Sequence, residues 1–253
     1  FPTEIFFGPG IVEKLGVHLK NQGLKSPLLV TDEGLSKLPL FSKIFKTLEK
    51  EGLKPVGHHE IHKNPIKSDV LSGVKNYHDQ KCDSIIGLGG GASMDVARAI
   101  ALKAYHERDL FDFEDSIGGD KHVTENIPYF VTIPTTSGTG SEVGRSTVIS
   151  DNKTKEKKIL FSPRLMAKAV FADPELTLDL PFHVTAATGM DALTHNIEAF
   201  LAKGFNPLCD GLALEGIKLI KESLEEATHR PSLEAQSKMM MAALIGATAF
   251  QKG

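Results

Sequence analysis

SIIGLGGGASMD, residues 84–95, carries a short apolar run straight into three glycines and then into the start of a helix. Ser84–Leu88 reads as a strand, and the amphipathic stretch 93–105 reads as a helix. Between them stand Gly89, Gly90 and Gly91. Glycines let backbone N–H groups approach phosphate oxygens closely, and a helix N-terminus adds positive potential. Such a junction suits a pyrophosphate. The alternative is a tight strand-to-helix turn, with Ser93 as N-cap and Asp95 favourable in the first turn. Residue 92 is alanine and no Gly-Lys-Ser/Thr follows, so neither of the two common glycine-rich nucleotide motifs is present.

Outward from this junction the same alternation repeats. Strand-like runs occur at Pro27–Thr31, Pro55–Ile61, Tyr129–Ile133 and Ala169–Ala172, and helical stretches at 36–51 and 67–80. Strands alternating with helices of ten to fifteen residues imply βαβ units and a mostly parallel sheet. Residues 144–150 and 158–161 flank the polar DNKTKEK and predict a hairpin. The acidic stretch 109–120, DLFDFEDSIGGD, reads as a solvated loop. From Phe182 the β signal ceases, and helices are expected at 183–202, 207–226 and 231–250. The division is therefore an α/β unit over 1–181 and an all-helical unit over 182–253.

Composition narrows the function classes. In 253 residues, 29 Lys and Arg stand against 32 Asp and Glu, a formal net charge of −3. That balance argues against a nucleic-acid partner. Hydrophobic residues at 41% with 24% charged predict a globular chain. The longest apolar run, MMMAALIGATAF at 239–250, is too short to span a bilayer and reads as a buried helix, so no membrane partner is expected. Residues 1–10, FPTEIFFGPG, lack the basic start of a secretory signal. Cys82 and Cys209 form no metal-ligand pair and read as reduced thiols, which predicts a cytoplasmic location.

Three further segments carry candidate chemistry. PTTSGTGSE, 134–142, puts five hydroxyls and two glycines in nine residues directly after a strand. It reads as a loop for a polar ligand or as an ordinary polar loop, and its place at a strand's carboxyl end favours the former. In GMDALTHNIE, 189–198, Asp191 and His195 are four residues apart and project from one helix face, with Glu198 beside them. A carboxylate and an imidazole at that spacing form half of a divalent-metal site or a surface pair. Asp32 follows the PLLVT strand, where a carboxylate accepts ribose hydroxyls or caps a helix. His58 and His59 in HHEIH face opposite ways in a strand, and with His62 they read as structural or exposed.

Taken together, FFGPG, the VTD strand end, Asn64-Pro65, GLGGGASMDVA, PTTSGTGSEV, FADPEL and GMDALTHNIEAF resemble the iron-containing (group III) alcohol dehydrogenase family over essentially the whole chain. The resemblance implies a dehydroquinate-synthase-like fold, with an α/β dinucleotide-binding domain followed by a helical metal-binding domain. It implies Asp32 on the adenosine ribose, Asn64 at the nucleotide site, and Gly90, Gly91 and Ser93 on the pyrophosphate. Asp95, Thr135, Thr136 and Thr139 would line the cofactor cleft, and Lys157 would reach the cofactor from the hairpin. Ala92 stands where the family usually has serine. Asp191 and His195 match the first two of four metal ligands. The other two, later histidines, have no match before Gly253, which predicts either a fragment or a protein lacking half of its metal site. The implied cofactors are NAD and a divalent metal, with iron(II) expected and zinc, nickel or manganese compatible with the same donors. The implied activity interconverts a small primary or secondary alcohol and its aldehyde or ketone by hydride transfer, in a homo-oligomer. The alternative is a nucleotide-binding module without catalysis.

Overall fold

The structure, a computed structural model, describes residues 3–252. Its strands are β1 (Glu4–Phe7), β2 (Pro27–Val30), β3 (Val56–His58), β4 (Ser84–Gly89), β5 (Tyr129–Pro134), β6 (Ser146–Ser150), β7 (Lys157–Phe161) and β8 (Ala169–Ala172). Its helices are α1 (Leu15–Asn21), α2 (Glu33–Ser36), α3 (Pro39–Lys50), α4 (Lys67–Asp79), α5 (Gly91–Lys103), α6 (Phe182–Leu201), α7 (Pro207–His229) and α8 (Leu233–Ala249). Short 3-10 turns fill several connections.

Six strands form one sheet in the order β1-β8-β5-β4-β2-β3, and every pairing in it is parallel. A parallel sheet is covered on both faces, so its strands are apolar on both. On one face Leu28, Val30, Ile85 and Phe130 pack with Val70 of α4 and Val96 and Ile100 of α5. On the other, Leu29, Ile86, Val131 and Phe171 pack with Leu15 and Leu19 of α1 and Ile44 and Leu48 of α3. Each such side chain contributes about 1.5–3 kcal/mol on burial. The expected hairpin is present as β6 and β7, antiparallel, with Ser146 opposite Phe161 and Ser150 opposite Lys157.

Several expectations are corrected. Strand β1 was not foreseen; it is a four-residue edge strand with exposed Glu4 and Ile5, and it takes its conformation from pairing with β8. Strand β3 is shorter than Pro55–Ile61 and ends at His58. The helix expected at 36–51 is two: Asp32 caps α2, and Pro39 starts α3. Helix α5 begins at Gly91 with Gly90 as its N-cap, so Ser93 is not the cap but lies in the first turn. The acidic 109–120 stretch is not simply solvated. It folds as 3-10 turns that bury Leu110 and Phe113 and bring Glu114 beside Leu160 of β7.

Beyond the sheet, α6, α7 and α8 pack around Ala192, Ile220, Met239 and Ala243. Met240 and Leu244 of α8 also pack on Val143, Val170 and Ala172, which joins the helices to the sheet. Among the described residues no helix is long and apolar enough to cross a membrane.

Candidate functional site

The sheet order points to a candidate site. The chain leaves β2 outward to β3, then returns past β2 to β4 on its other side. Ligands of open α/β sheets bind at the carboxyl ends of strands where such a reversal occurs. The carboxyl end of β2 carries Asp32, and that of β4 carries Gly89, Gly90 and Gly91.

Gly89 has φ +140°, and a Cβ there would lie 2.7 Å from Ser93 Oγ, so a side chain is excluded by both conformation and space. Gly90, as N-cap, offers no side chain to the first-turn N–H groups of α5. Those groups therefore point at the open end of the sheet, as an anion requires. Asp32 Oδ1 accepts the Leu35 N–H at 2.9 Å and caps α2. Its Oδ2 turns toward Gly89, 3.8 Å from where a Cβ would stand. The capping and the ligand readings of Asp32 thus use different oxygens.

The 134–144 loop covers this junction. Thr135 N–H donates to Gly89 C=O at 3.1 Å, Thr136 faces Gly90, and Thr139 faces Gly91. Thr135 is buried, Thr136 half-buried and Thr139 exposed, with its Oγ1 accepting the Ser141 N–H. Gly140, at φ +62°, lies against Ala243 C=O and Ala247 of α8, where a Cβ would collide at 2.3 Å. The loop is therefore held between the sheet and the helical unit. Ser137 Oγ is buried without a protein partner.

A cleft of about 680 Å³ runs from Gly91 and Thr139 to His195. That volume is in the range of small-ligand sites. Val148, Ile159 and Phe161 of the hairpin, with Ala247 and Phe250, make one wall apolar. Alternation along β7 puts Lys157 on the same face as Ile159 and Phe161, while Lys158 turns away to ion-pair with Glu114 at 3.1 Å. Lys157 itself is exposed and lies beyond the cleft wall. Asn64 is exposed on the loop after β3, also outside the cleft. A cavity of about 700 Å³ on the outer face of α3, between Lys43, Lys46 and Glu51, touches none of these residues.

Asp95 lines the cleft and also ties it together. Ser141 Oγ donates to its Oδ1 at 3.3 Å, Val148 N–H to its Oδ2 at 3.4 Å, and Arg98 Nη1 lies 3.5 Å from Oδ1. Burial pushes its carboxyl up to about 6, and the guanidinium works against that rise. Two neighbours had no assigned role in the sequence. Arg98 is fully buried and donates to the carbonyls of Leu165, Ser141 and Ser146 and to Ser141 Oγ. A charged residue in the middle of the apolar VARAIAL was the available signal. Glu142 is buried, its Oε1 has no partner, and burial pushes its carboxyl up to about 7 against the pull of Arg98.

At the far end of the cleft, His195 Nε2 lies 3.7 Å from Asp191 Oδ1, and the His195 ring sits 5.4 Å from that of Phe250. Both side chains keep accessible surface. The pair offers one hard oxygen and one imidazole nitrogen on one helix face, which fits two positions of a divalent-metal site. Glu198 is exposed on the same helix. No group of three or more His, Cys, Asp or Glu able to hold a metal occurs among the described residues. Of the HHEIH histidines, His58 is buried, His59 is exposed, and His62 Nδ1 pairs with the buried Asp69 at 2.8 Å.

Comparison with known proteins identifies the family. The iron-containing alcohol dehydrogenase family model matches residues 2–174, and the model of the Fe-containing alcohol dehydrogenase C-terminal region matches 185–253. A 4-hydroxybutyrate dehydrogenase of Cupriavidus necator is 38% identical over 252 residues, covering 99% of this chain and 65% of its own. A 1,3-propanediol dehydrogenase of Citrobacter freundii is 36% identical, covering 98% of this chain and 64% of its own. Among solved structures, a 1,3-propanediol oxidoreductase superposes with a TM-score of 0.94 at 36% identity, over 98% of this chain and 64% of that one. A sulfoacetaldehyde reductase of Bifidobacterium kashiwanohense, solved in complex with NAD+, gives 0.92 at 29%, over 98% of this chain and 65% of that one. The chain thus spans about 65% of the length of the curated relatives it matches.

Proposed function

Because this chain belongs to the iron-containing alcohol dehydrogenase family, we propose that it is an NAD-dependent, metal-assisted oxidoreductase. It interconverts a small primary or secondary alcohol and its aldehyde or ketone. The observation that carries this reading is a single cleft. It starts at the uncapped N-terminus of α5 and ends at His195, so a phosphate-binding end and a metal-ligand end share one cavity. The alternative of a nucleotide-binding module without catalysis has no use for the second end. The units 1–181 and 182–253 then divide the labour, the first holding the dinucleotide and the second the metal.

In this reading Asp32 Oδ2 accepts ribose hydroxyls, and its charge disfavours a 2′-phosphate. The N–H groups of Gly91 and Ser93, with Gly90 letting the backbone approach, hold the pyrophosphate. Thr135, Thr136 and Thr139 shape the opposite wall, and Asp95 locks that wall to the hairpin. Lys157 and Asn64 take outer positions, within reach of the cofactor's ends and not of the reacting atoms. Val148, Ile159 and Phe161 keep water from the apolar side of the cleft. Asp191 and His195 hold the metal. When bound, iron(II) or a similar cation supplies Lewis acidity toward an alcohol oxygen, and the nicotinamide supplies a hydride acceptor. A homo-oligomer belongs to the same proposal, supported by the exposed apolar Leu201, Phe205 and Leu208. A cytoplasmic setting is supported by the unpaired Cys82 and Cys209.

The test is titration with NAD and NADP, followed by oxidation of a panel of small alcohols with added iron(II). Saturable NAD binding that Gly90→Val removes is expected. A chain that binds neither dinucleotide overturns the proposal.

A further inference from the structure

We propose that Asn196 is a positioning residue that sets the rotation of α6, and with it the direction in which Asp191 and His195 project. The inference rests on the reading of that pair as ligands of a divalent cation. Asn196 is fully buried at the meeting point of α6, α7 and α8. Its Nδ2 donates to Ala192 C=O at 2.8 Å, one turn back on α6, and to Ala242 C=O of α8 at 3.1 Å. Its Oδ1 has no partner.

Two glycines make the room. A Cβ on Gly216 of α7 would lie 1.9 Å from Asn196 Oδ1, and one on Gly246 of α8 would lie 2.3 Å from Nδ2. The amide is thus seated in a notch cut from both neighbouring helices. Its orientation is fixed by these two bonds, because turning it over would aim its oxygen at both carbonyls and leave three acceptors facing one another with no side-chain donor between them. An amide with an unpaired oxygen in a seam of Ala192, Ala242 and Ala243 is a costly choice where a small apolar residue would pack. Such groups specify register between helices more than they stabilise them.

The geometry carries that register to the ligands. Successive helical residues are about 100° apart, so with Asn196 aimed into the seam, His195 turns toward the cleft, and Asp191, one turn earlier, follows it. On α8, Ala242 and Gly246 hold the amide while Ala247, one residue on, lines the cleft beside His195. One hydrogen bond across the seam therefore fixes both walls of the ligand end.

Four forms of the 253-residue chain test this: wild type, His195→Ala, Asn196→Ala, and Asn196→Ala with Gly216→Ala, in which the new methyl refills the notch. The readouts are the cobalt(II) dissociation constant, the His195 imidazole NMR signal next to the Phe250 ring (assigned by its loss in His195→Ala), the thermal midpoint, and NAD affinity. The expected result is about a tenfold loss of cobalt affinity in Asn196→Ala, the size typical of groups that orient metal ligands. The His195 signal should move and NAD affinity stay within about twofold of wild type. The double variant should recover the thermal midpoint without recovering cobalt affinity or the His195 signal. If it recovers all of them, or if Asn196→Ala changes only the midpoint, Asn196 acts by volume alone and the proposal is overturned. If His195→Ala binds cobalt as wild type does, the metal reading fails separately. The His195 signal then decides the positioning role on its own.

Discussion

Arg98 grips Ser141 twice, at the hydroxyl 3.0 Å from Nη1 and at the carbonyl through Nη2. Helix α5, which presents the glycine turn, and the loop that faces that turn are thereby one rigid unit. The same guanidinium reaches Ser146 at the start of the hairpin and lies over Phe130 of the sheet.

Arg98→Met should accordingly weaken both fold and cleft. It leaves Asp95 and Glu142 without their buried counter-charge, a loss of roughly 3 kcal/mol on the scale of broken buried pairs. Urea unfolding measures it. NAD affinity should fall about tenfold as the loop loosens, since 1.4 kcal/mol corresponds to that factor. Arg98→Lys should recover little, because an ammonium cannot span the separate acceptors of the planar fork. An unchanged urea midpoint in Arg98→Met would contradict this account.

Gly90→Val separates binding from folding. Gly90 has φ −86°, which any residue adopts, and a Cβ there would stand 3.3 Å from the Thr136 hydroxyl, a contact that a slight shift relieves. Stability should therefore fall by less than about 1.5 kcal/mol. A branched side chain would nonetheless bar phosphate from the α5 N-terminus, so NAD binding should disappear in a calorimetric titration. Unchanged affinity in a folded variant would put the nucleotide elsewhere.

Asp32 tests cofactor choice. Asp32→Asn keeps an oxygen to cap Leu35 while removing the charge, and an Asn cap is as good as an Asp cap. The ratio of kcat/KM for NADP to that for NAD should rise by about tenfold or more, with little change in unfolding temperature. A parent enzyme that uses both cofactors equally would remove the basis of this expectation.

Glu142 gives a pH dependence of known sign. Its folded carboxyl sits at about 7 against an ordinary 4.5. The folded state therefore binds the proton more tightly than the unfolded one, and stability falls as pH rises from about 4.5 to about 7. Asp95, raised to about 6, adds to the same slope. Glu142→Gln should flatten it, gaining about 1–2 kcal/mol on wild type at pH 8 relative to pH 5. Parallel pH profiles of the two proteins would show that Glu142 does not carry the effect.

The metal end predicts weak retention. Asp191 and His195 are two donors, and no cluster of three or more candidate ligands occurs among the described residues. Metal sites usually take three or four protein ligands. Iron(II) or zinc(II) should therefore leave the 253-residue chain on dialysis against a mild chelator, as metal analysis would register. Stoichiometric metal after such dialysis would point to ligands other than this pair.

Local chemistry made much of this protein legible from its sequence. The alternation of short apolar runs with amphipathic stretches reports burial of strands on two faces and of helices on one. It therefore forecast the parallel sheet, the hairpin and the change to helices at Phe182. The glycines at 89–91 and the i, i+4 pair Asp191 and His195 were visible because their spacing along the chain is their geometry. What the sequence did not disclose depends on contacts between distant segments. β1 exists only because β8 lies beside it, some 165 residues later in the chain. Ser93 lost the cap position because the backbone of Gly90, seated against Thr136, already turns into the helix there. Arg98, Glu142 and Asn196 acquire meaning from what they meet across elements: Ser141, a buried place beside the Arg98 guanidinium, and the glycines of α7 and α8. Periodicity reports which side of an element is buried. Which partner it is buried against, and whether a buried polar atom is satisfied there, is decided only when the elements pack.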